Sequence, residues 1–169
     1  MSALVLLALH AAEFAAGPAP AAVNACTFLR ETEITAVLGV PVAPGVRDDS
    51  GAVSGAPATS GTYSSTCFWK VAGAAGEQAA YTILNVMRWP AGHGDAHRFL
   101  QSFWDAARHG DIDRTPVPLK IADESLWWGD GVAVRKGDVS FGISVHLPAQ
   151  RPHERQMEEK LARKIVSRL

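Results

Sequence analysis

Residues 124–147 read ESLWWGDGVAVRKGDVSFGISVHL, and this stretch decides the fold. In its last third, Val139, Phe141, Ile143, Val145 and Leu147 alternate strictly with Ser140, Gly142, Ser144 and His146. That is the period of an antiparallel strand with one face buried and one face wet. Gly129-Asp130-Gly131 and Lys136-Gly137-Asp138 are turn sequences, so the stretch divides into strands at 124–128, 132–135 and 139–147. A three-strand meander follows.

Upstream, residues 95–109 carry a broad apolar stripe of Ala96, Phe99, Leu100, Phe103, Trp104 and Ala107, with Arg98, Gln101, Asp105 and Arg108 opposite. This spacing predicts a helix, with Asp95 as its N-cap and Gly110 as its stop. Two more strands precede it. In residues 63–71, Tyr63, Ser65, Cys67, Trp69 and Val71 alternate with Ser64, Thr66, Phe68 and Lys70. After a turn at 73–76, residues 80–89 place Tyr81, Ile83 and Met87 on one face and Leu84 and Val86 on the other. Apolar residues on both faces predict a central strand covered on both sides. Residues 43–62, rich in Gly, Ala, Ser, Thr and Pro, read as an irregular loop. Before them, Leu29, Ile34, Val37 and Leu38 share one side of a short helix ended by Gly39 and Pro41. Downstream, Met157, Leu161, Ile165 and Leu169 mark a last helix from about Pro152. The expected order is α-β-β-α-β-β-β-α. It describes one α+β domain over residues 26–169, an antiparallel sheet of about five strands with helices packed on it.

Residues 1–25 read as a signal peptide or a disordered N-terminus. Ala3-Leu4-Val5-Leu6-Leu7-Ala8-Leu9 is a compact apolar run, and Ala19-Pro20-Ala21 has the small-x-small pattern of a cleavage site, with Val23-Asn24-Ala25 as the alternative. No Lys or Arg precedes Leu4, so the usual basic start is missing. The apolar run is far shorter than the ~20 residues that span a bilayer. An exported chain with two cysteines, Cys26 and Cys67, is expected to pair them. Lipidation of Cys26 is the competing reading, which Asn24 fits poorly. Formal net charge is −1, and residues 26–169 carry equal numbers of acidic and basic side chains. Such a chain lacks the electrostatic footprint of a nucleic-acid or anionic-membrane binder.

The opening Cys26-Thr27-Phe28-Leu29-Arg30-Glu31-Thr32-Glu33-Ile34-Thr35-Ala36-Val37-Leu38-Gly39 resembles that of the DUF3558-type family of bacterial exported envelope proteins. Ser65-Thr66-Cys67-Phe68-Trp69, Ile121-Ala122-Asp123-Glu124-Ser125, Val134-Arg135-Lys136-Gly137-Asp138 and residues 162–169 are similar to later parts of the family. Together these cover most of residues 26–169. Arg30 stands where the family has a helix-capping Thr, and the family's separate lipidation cysteine is missing. The resemblance implies an exported, unanchored domain of undefined biochemical role, with no catalytic residues to transfer.

The residues that could carry chemistry form no recognisable set. His93 and His97 are four apart, but Gly94 and Asp95 place His93 outside the helix, so a shared metal is not expected, even with His109, Asp111 and Asp113 near in sequence. There is no Gly-x-Ser-x-Gly elbow, and His146 has no partner visible in sequence. Gly129-Asp130-Gly131 has Val134 where a dinucleotide loop needs its third glycine. Asp111, Asp113, Asp123 and Glu124 lack the spacing of a calcium loop. No catalytic, cofactor-binding or metal residue is assigned. Trp127-Trp128 is the one surface oddity: neighbours on a strand point to opposite faces, so one ring meets the core and the other either anchors a partner or, covered by the terminal helix, is plain core.

The expectation is an exported, non-enzymatic module of the envelope or periplasm that binds a protein or envelope component around Trp127 and Trp128. A small hydrolase or ligand carrier built from distant residues is the alternative, and an inhibitor or immunity-type protein a third.

Overall fold

The computed structural model describes residues 23–53, 61–73, 80–92, 94–148 and 154–169. Residues 1–22 of the N-terminal segment read as a signal peptide, and His93, lie outside these residues, whereas residues 23–25 are part of the packed domain. After a 3-10 turn at Ala25–Thr27 come helix α1 (Glu31–Leu38), strands β1 (Val46–Val53), β2 (Thr62–Lys70) and β3 (Tyr81–Arg88), helix α2 (Asp95–His109), strands β4 (Val117–Pro118), β5 (Glu124–Trp127), β6 (Val132–Lys136) and β7 (Val139–His146), and helix α3 (Glu154–Val166). The seven strands form one sheet in the order β1-β2-β3-β7-β6-β5-β4, and every neighbouring pair is antiparallel.

The α+β class and the antiparallel sheet are as expected, but there are seven strands and not about five. One addition is β1, which occupies eight residues of the segment read as an irregular loop. It pairs with β2 from Val46↔Phe68 to Val53↔Thr62, with a register shift between Asp48 and Gly51. Val46, Arg47 and Asp48 at the margin of the sheet are exposed, so β1 needs no alternation of apolar and polar residues. The bulge and the charges at Arg47, Asp48 and Asp49 are the devices that keep a free edge from pairing further. Those same features erase the strand signal. The other addition, β4, is two residues long, and its Pro118 is tolerated only at an edge.

The chain makes two meanders, β1-β2-β3 and β4-β5-β6-β7, which meet where β7 lies beside β3 in the register Tyr81↔His146 to Arg88↔Val139. The main core lies between the sheet and the layer made by the N-terminal turn, α1 and α3. Cys67, Trp69, Leu84, Val86, Val132, Val134, Phe141 and Ile143 are fully buried there against Leu29, Ile34, Leu38, Leu161 and Ile165. Met157, Leu161 and Ile165 form the predicted row of α3. A smaller core on the opposite face joins Leu100 of α2 to Leu126 and Ala133, with Phe99, Phe103, Trp104 and Trp128 packed around it.

Local signals explain the helix ends. Glu33 Oε2 accepts the Arg30 backbone N–H at 3.0 Å, while Arg30 has no oxygen with which to return the bond. Gly39, at φ 74°, ends α1 by donating its N–H to the Thr35 carbonyl at 2.8 Å. Gly94, not Asp95, occupies the N-cap of α2. Asp95 lies in the first turn, 8% exposed and paired with Arg98, where an acid favours the positive end of the helix. Ion pairs tie the two ends of the main layer together: Arg168 Nη2 is 2.7 Å from Glu33 Oε1, and Lys164 Nζ is 3.9 Å from it.

Cys26 and Cys67 form a disulfide with their Cα atoms 5.0 Å apart. It fastens the N-terminal turn to β2. Beside it, Val23 and Ala25 are buried in the main core, and the Ala25 N–H donates to Ser65 Oγ at 3.0 Å. Ser65 in turn donates to Asp49 on β1, as does Tyr63 through its hydroxyl. The Arg47 guanidinium, then these hydroxyls, hold the Asp49 carboxyl at about 2.

Candidate functional site

The covering of β3 differs from the expectation. It is central, between β2 and β7, and its Thr82, Leu84 and Val86 face the main core. Its other face, carrying Tyr81, Ile83, Asn85 and Met87, is only half-buried. Among the described elements, α2 is the helix on that side of the sheet, and it packs on β5, β6 and β7. On the outward side of β1, β2 and β3 the described elements place no helix; Phe68, Tyr81, Ile83 and Met87 are half-buried there, while Thr62 and Ser64 at one end of β2 are buried.

Register assembles the open face from residues distant in sequence. Val46, Phe68, Ile83 and Ser144 form one row across four strands. Asp48, Thr66, Asn85 and Gly142 form the next. Val46 is 65% exposed, the most exposed large apolar side chain among the described residues. Phe68, Tyr81 and His146 make a continuous aromatic run: ring centroids are 5.0 Å apart for Phe68–Tyr81 and 5.1 Å for Tyr81–His146, each pair tilted by 31°. Asn85 Nδ2 donates to Thr66 Oγ1 at 2.8 Å and to Ser64 Oγ at 3.1 Å. Flat rings edged by amide and hydroxyl groups can stack on, and hydrogen-bond to, an apolar or amphipathic partner.

Trp128 bounds this face. Its ring stacks on Phe103 of α2, with centroids 4.9 Å apart, and lies over Gly131 and Gly142. A Cβ added to Gly131 would come within 2.4 Å of Trp128 Cη2, so the glycine is what lets the indole lie flat. A cleft of about 370 Å³ opens at one end of the face, lined by Tyr81, Ile83, Asp130, Ser144, Val145, His146 and Glu154.

The two tryptophans part to opposite faces, as strand geometry requires. Trp127 enters the main-core side, where Nε1 donates to Glu158 Oε2 at 3.1 Å. Guanidinium groups of Arg155 and Arg114 lie 5.1 and 5.7 Å from its ring centroid. Both rings are therefore engaged within the chain. Trp128 keeps a border on the open face, while Trp127 does not reach it.

The titratable residues singled out from sequence fall into three places. His97 Nδ1 lies 2.7 Å from Glu124 Oε2, and Glu124 is also bonded by Arg135, which reaches Asp123. This cluster sits on the surface, with the His97 side chain 52% exposed, and it lines neither of the two clefts described here. Asp111, Asp113 and Asp130 line a second cleft of about 330 Å³, beside Arg114 and Trp128. His146 stands in the aromatic run. Among the described residues, no three His, Cys, Asp or Glu side chains are grouped to hold a metal ion.

What the sequence reading missed is the open face itself. Its signal was Asn85, an amide in the middle of an otherwise apolar row at Tyr81, Ile83 and Met87, and its opposite number Thr66 among the aromatics of β2. A fully covered face would have no need of either. No protein-family model, curated protein or solved structure matches this chain, so the functional reading rests on its own geometry.

Proposed function

We propose that the chain is an exported, non-enzymatic binding module of the bacterial envelope or periplasm, and that it takes a protein or envelope component on the open face of β1, β2 and β3. One observation carries this reading: a patch of apolar and aromatic side chains, Phe68, Tyr81, Ile83 and Met87, left only half-buried at the centre of a sheet and not at its margin. Contiguous apolar surface on a sheet face is the usual ground of a protein contact.

Export is supported by the disulfide, since reducing compartments keep thiols free. Among the described residues, no helix is long and apolar enough to cross a membrane. Cleavage at Ala19-Pro20-Ala21 suits the packed domain better than cleavage after Ala25, which would discard the buried Val23. The DUF3558-type resemblance points the same way.

The test is capture of partners from envelope extract with the intact chain, compared with Tyr81→Ser and Phe68→Ser. Both positions are half-exposed, so the fold should persist by circular dichroism while capture is lost. Unchanged capture by both variants would remove the assignment.

The His97–Glu124 pair favours a second reading, a small hydrolase. A carboxylate on Nδ1 orients an imidazole and leaves Nε2 free to act as a base. Ester, peptide and glycoside substrates, assayed with wild type and His97→Ala, decide it. Turnover that disappears with the ring would support catalysis.

A further inference from the structure

Strand β7 is longer than the strand beside it. Pairing with β6 begins at Val132↔Ile143, so Val145 and Leu147, whose N–H groups point to the same side, have no strand to meet. Helix α3 supplies the acceptors. Glu158 Oε1 takes the Val145 N–H at 3.0 Å, and Glu154 Oε1 takes the Leu147 N–H at 2.6 Å. The two glutamates are one turn apart and stand in for missing backbone carbonyls. Glu158 does more, because its other oxygen accepts Trp127 Nε1 at 3.1 Å. One carboxyl thus joins α3, β5 and β7.

That carboxyl is 1% exposed and makes no ion pair among the described residues. The charged groups around it are ill suited to an anion. Glu154 on α3 and Asp130 in the β5–β6 turn both oppose its ionisation. Arg155 and Arg114 lie over the Trp127 ring, and Arg155 Nε is bonded to Glu159 at 3.0 Å. On β7, His146 faces away, against Tyr81. On β6, Arg135 is held by Glu124 and Asp123, and Lys136 Nζ reaches the Val166 carbonyl at 3.1 Å, at the far end of α3. On α1, Glu33 is matched by Lys164 and Arg168. A buried carboxyl with acids for neighbours is easier to keep neutral than charged.

We propose that Glu158 is a proton-operated latch: as a neutral acid it keeps α3 seated on Trp127 and the free edge of β7, and as a carboxylate it lets that end of the helix open. The device does not depend on which surface binds a partner. Burial first, then Glu154 and Asp130, raise the Glu158 carboxyl to about 7, against the bonds from Val145 and Trp127. Its charge therefore changes within the ordinary range of an extracellular medium.

The experiment is native-state hydrogen exchange on the full chain, following the Val145 and Leu161 amides at pH 5 and pH 8, normalised for the intrinsic exchange rate. With the closed form titrating near 7 and the open form at the ordinary 4.5, the opening equilibrium should rise on the order of a hundredfold between these pH values. Glu158→Gln, uncharged throughout, should show a flat ratio. Equal pH dependence in wild type and Glu158→Gln would overturn the latch. If the variant fails to fold, the carboxyl carbon resonance of Glu158 in wild type decides alone. A midpoint near 7, moved down by Asp130→Asn, supports the latch, and one in the ordinary carboxylate range overturns it.

Discussion

Breaking the Cys26–Cys67 bond is the most informative perturbation of this fold, because its magnitude follows from the chain itself. The bond closes a loop with a sequence separation of 41 residues, which contains α1 and β1. Releasing that constraint from the unfolded chain should cost about 4 kcal/mol of stability on the chain-entropy estimate. Reduction is the cleanest way to do it, since it removes no atoms from the core. A Ser at position 67 would instead bury a hydroxyl at a site with no exposure and add about 1–3 kcal/mol of its own. Urea unfolding of the intact chain with and without dithiothreitol is the assay. With a slope of about 2 kcal/mol per molar, the midpoint should fall by about 2 M on reduction. The local bond from Ala25 N–H to Ser65 Oγ survives reduction, so the N-terminal turn should remain on β2 in the folded state. A midpoint change below about 0.5 M would refute the reasoning. It would mean that the reduced, unfolded chain is already restricted between these two positions without the bond.

Three further outcomes follow from single groups. Glu158 has a folded value of about 7 against an ordinary 4.5, so its contribution is complete below about 4.5 and is lost as pH rises through 7; chemical denaturation should find the protein about 3 kcal/mol more stable at pH 4.5 than at pH 8 from this group, and a difference absent from Glu158→Gln. Thr82 is fully buried on the core side of β3, and its hydroxyl finds no hydrogen-bond partner among the described residues, so Thr82→Val should raise stability by about 1 kcal/mol in urea melts. Gly131→Ala would force its Cβ to within 2.4 Å of Trp128 and 2.5 Å of Ser144 Oγ; a loss of about 2 kcal/mol and an altered near-ultraviolet tryptophan spectrum are expected, with an unchanged spectrum counting against the placement of that ring.

What could be read from sequence was whatever a single element signals about itself. Val139 to Leu147 alternates because β7 has one dry face, and the sheet bears this out. The stripe of α2 and the row Met157, Leu161 and Ile165 of α3 are equally local; the α3 row is buried, whereas in the α2 stripe Ala96 and Leu100 are buried and Phe99, Phe103, Trp104 and Ala107 half-buried. The Cys26–Cys67 pairing was legible because only one pairing was possible. Strand β1 was hidden because an edge is protected by breaking the very pattern that identifies a strand. The adjacency of β3 and β7, more than fifty residues apart, has no local signature at all. Glu158 was passed over as one polar residue among Glu159, Lys160 and Arg163. Its position next to Met157, four residues after Glu154, makes sense only once the free edge of β7 is seen.

The disulfide and the open face have a common origin in how the helices are distributed. Helices α2 and α3 pack on opposite faces of the same half of the sheet, over β5, β6 and β7, and sandwich it. The other half, β1 to β3, is covered on its core side by the N-terminal turn and the short helix α1, and no described helix lies on its outward side. That layer is thin, a three-residue turn and an eight-residue helix, and elements so short have little stability of their own. The covalent bond lies where this deficit is greatest, between that turn and the fully buried Cys67 of β2. Had a helix covered the outward side of β2 and β3, Phe68, Tyr81 and Ile83 would have supplied the missing burial. Leaving those side chains half-buried forgoes a fraction of the about 1.5–3 kcal/mol that full burial of each contributes, a loss that the disulfide is large enough to offset. If the face of β2 and β3 is the binding surface proposed above, the covalent bond offsets part of the burial that this face forgoes.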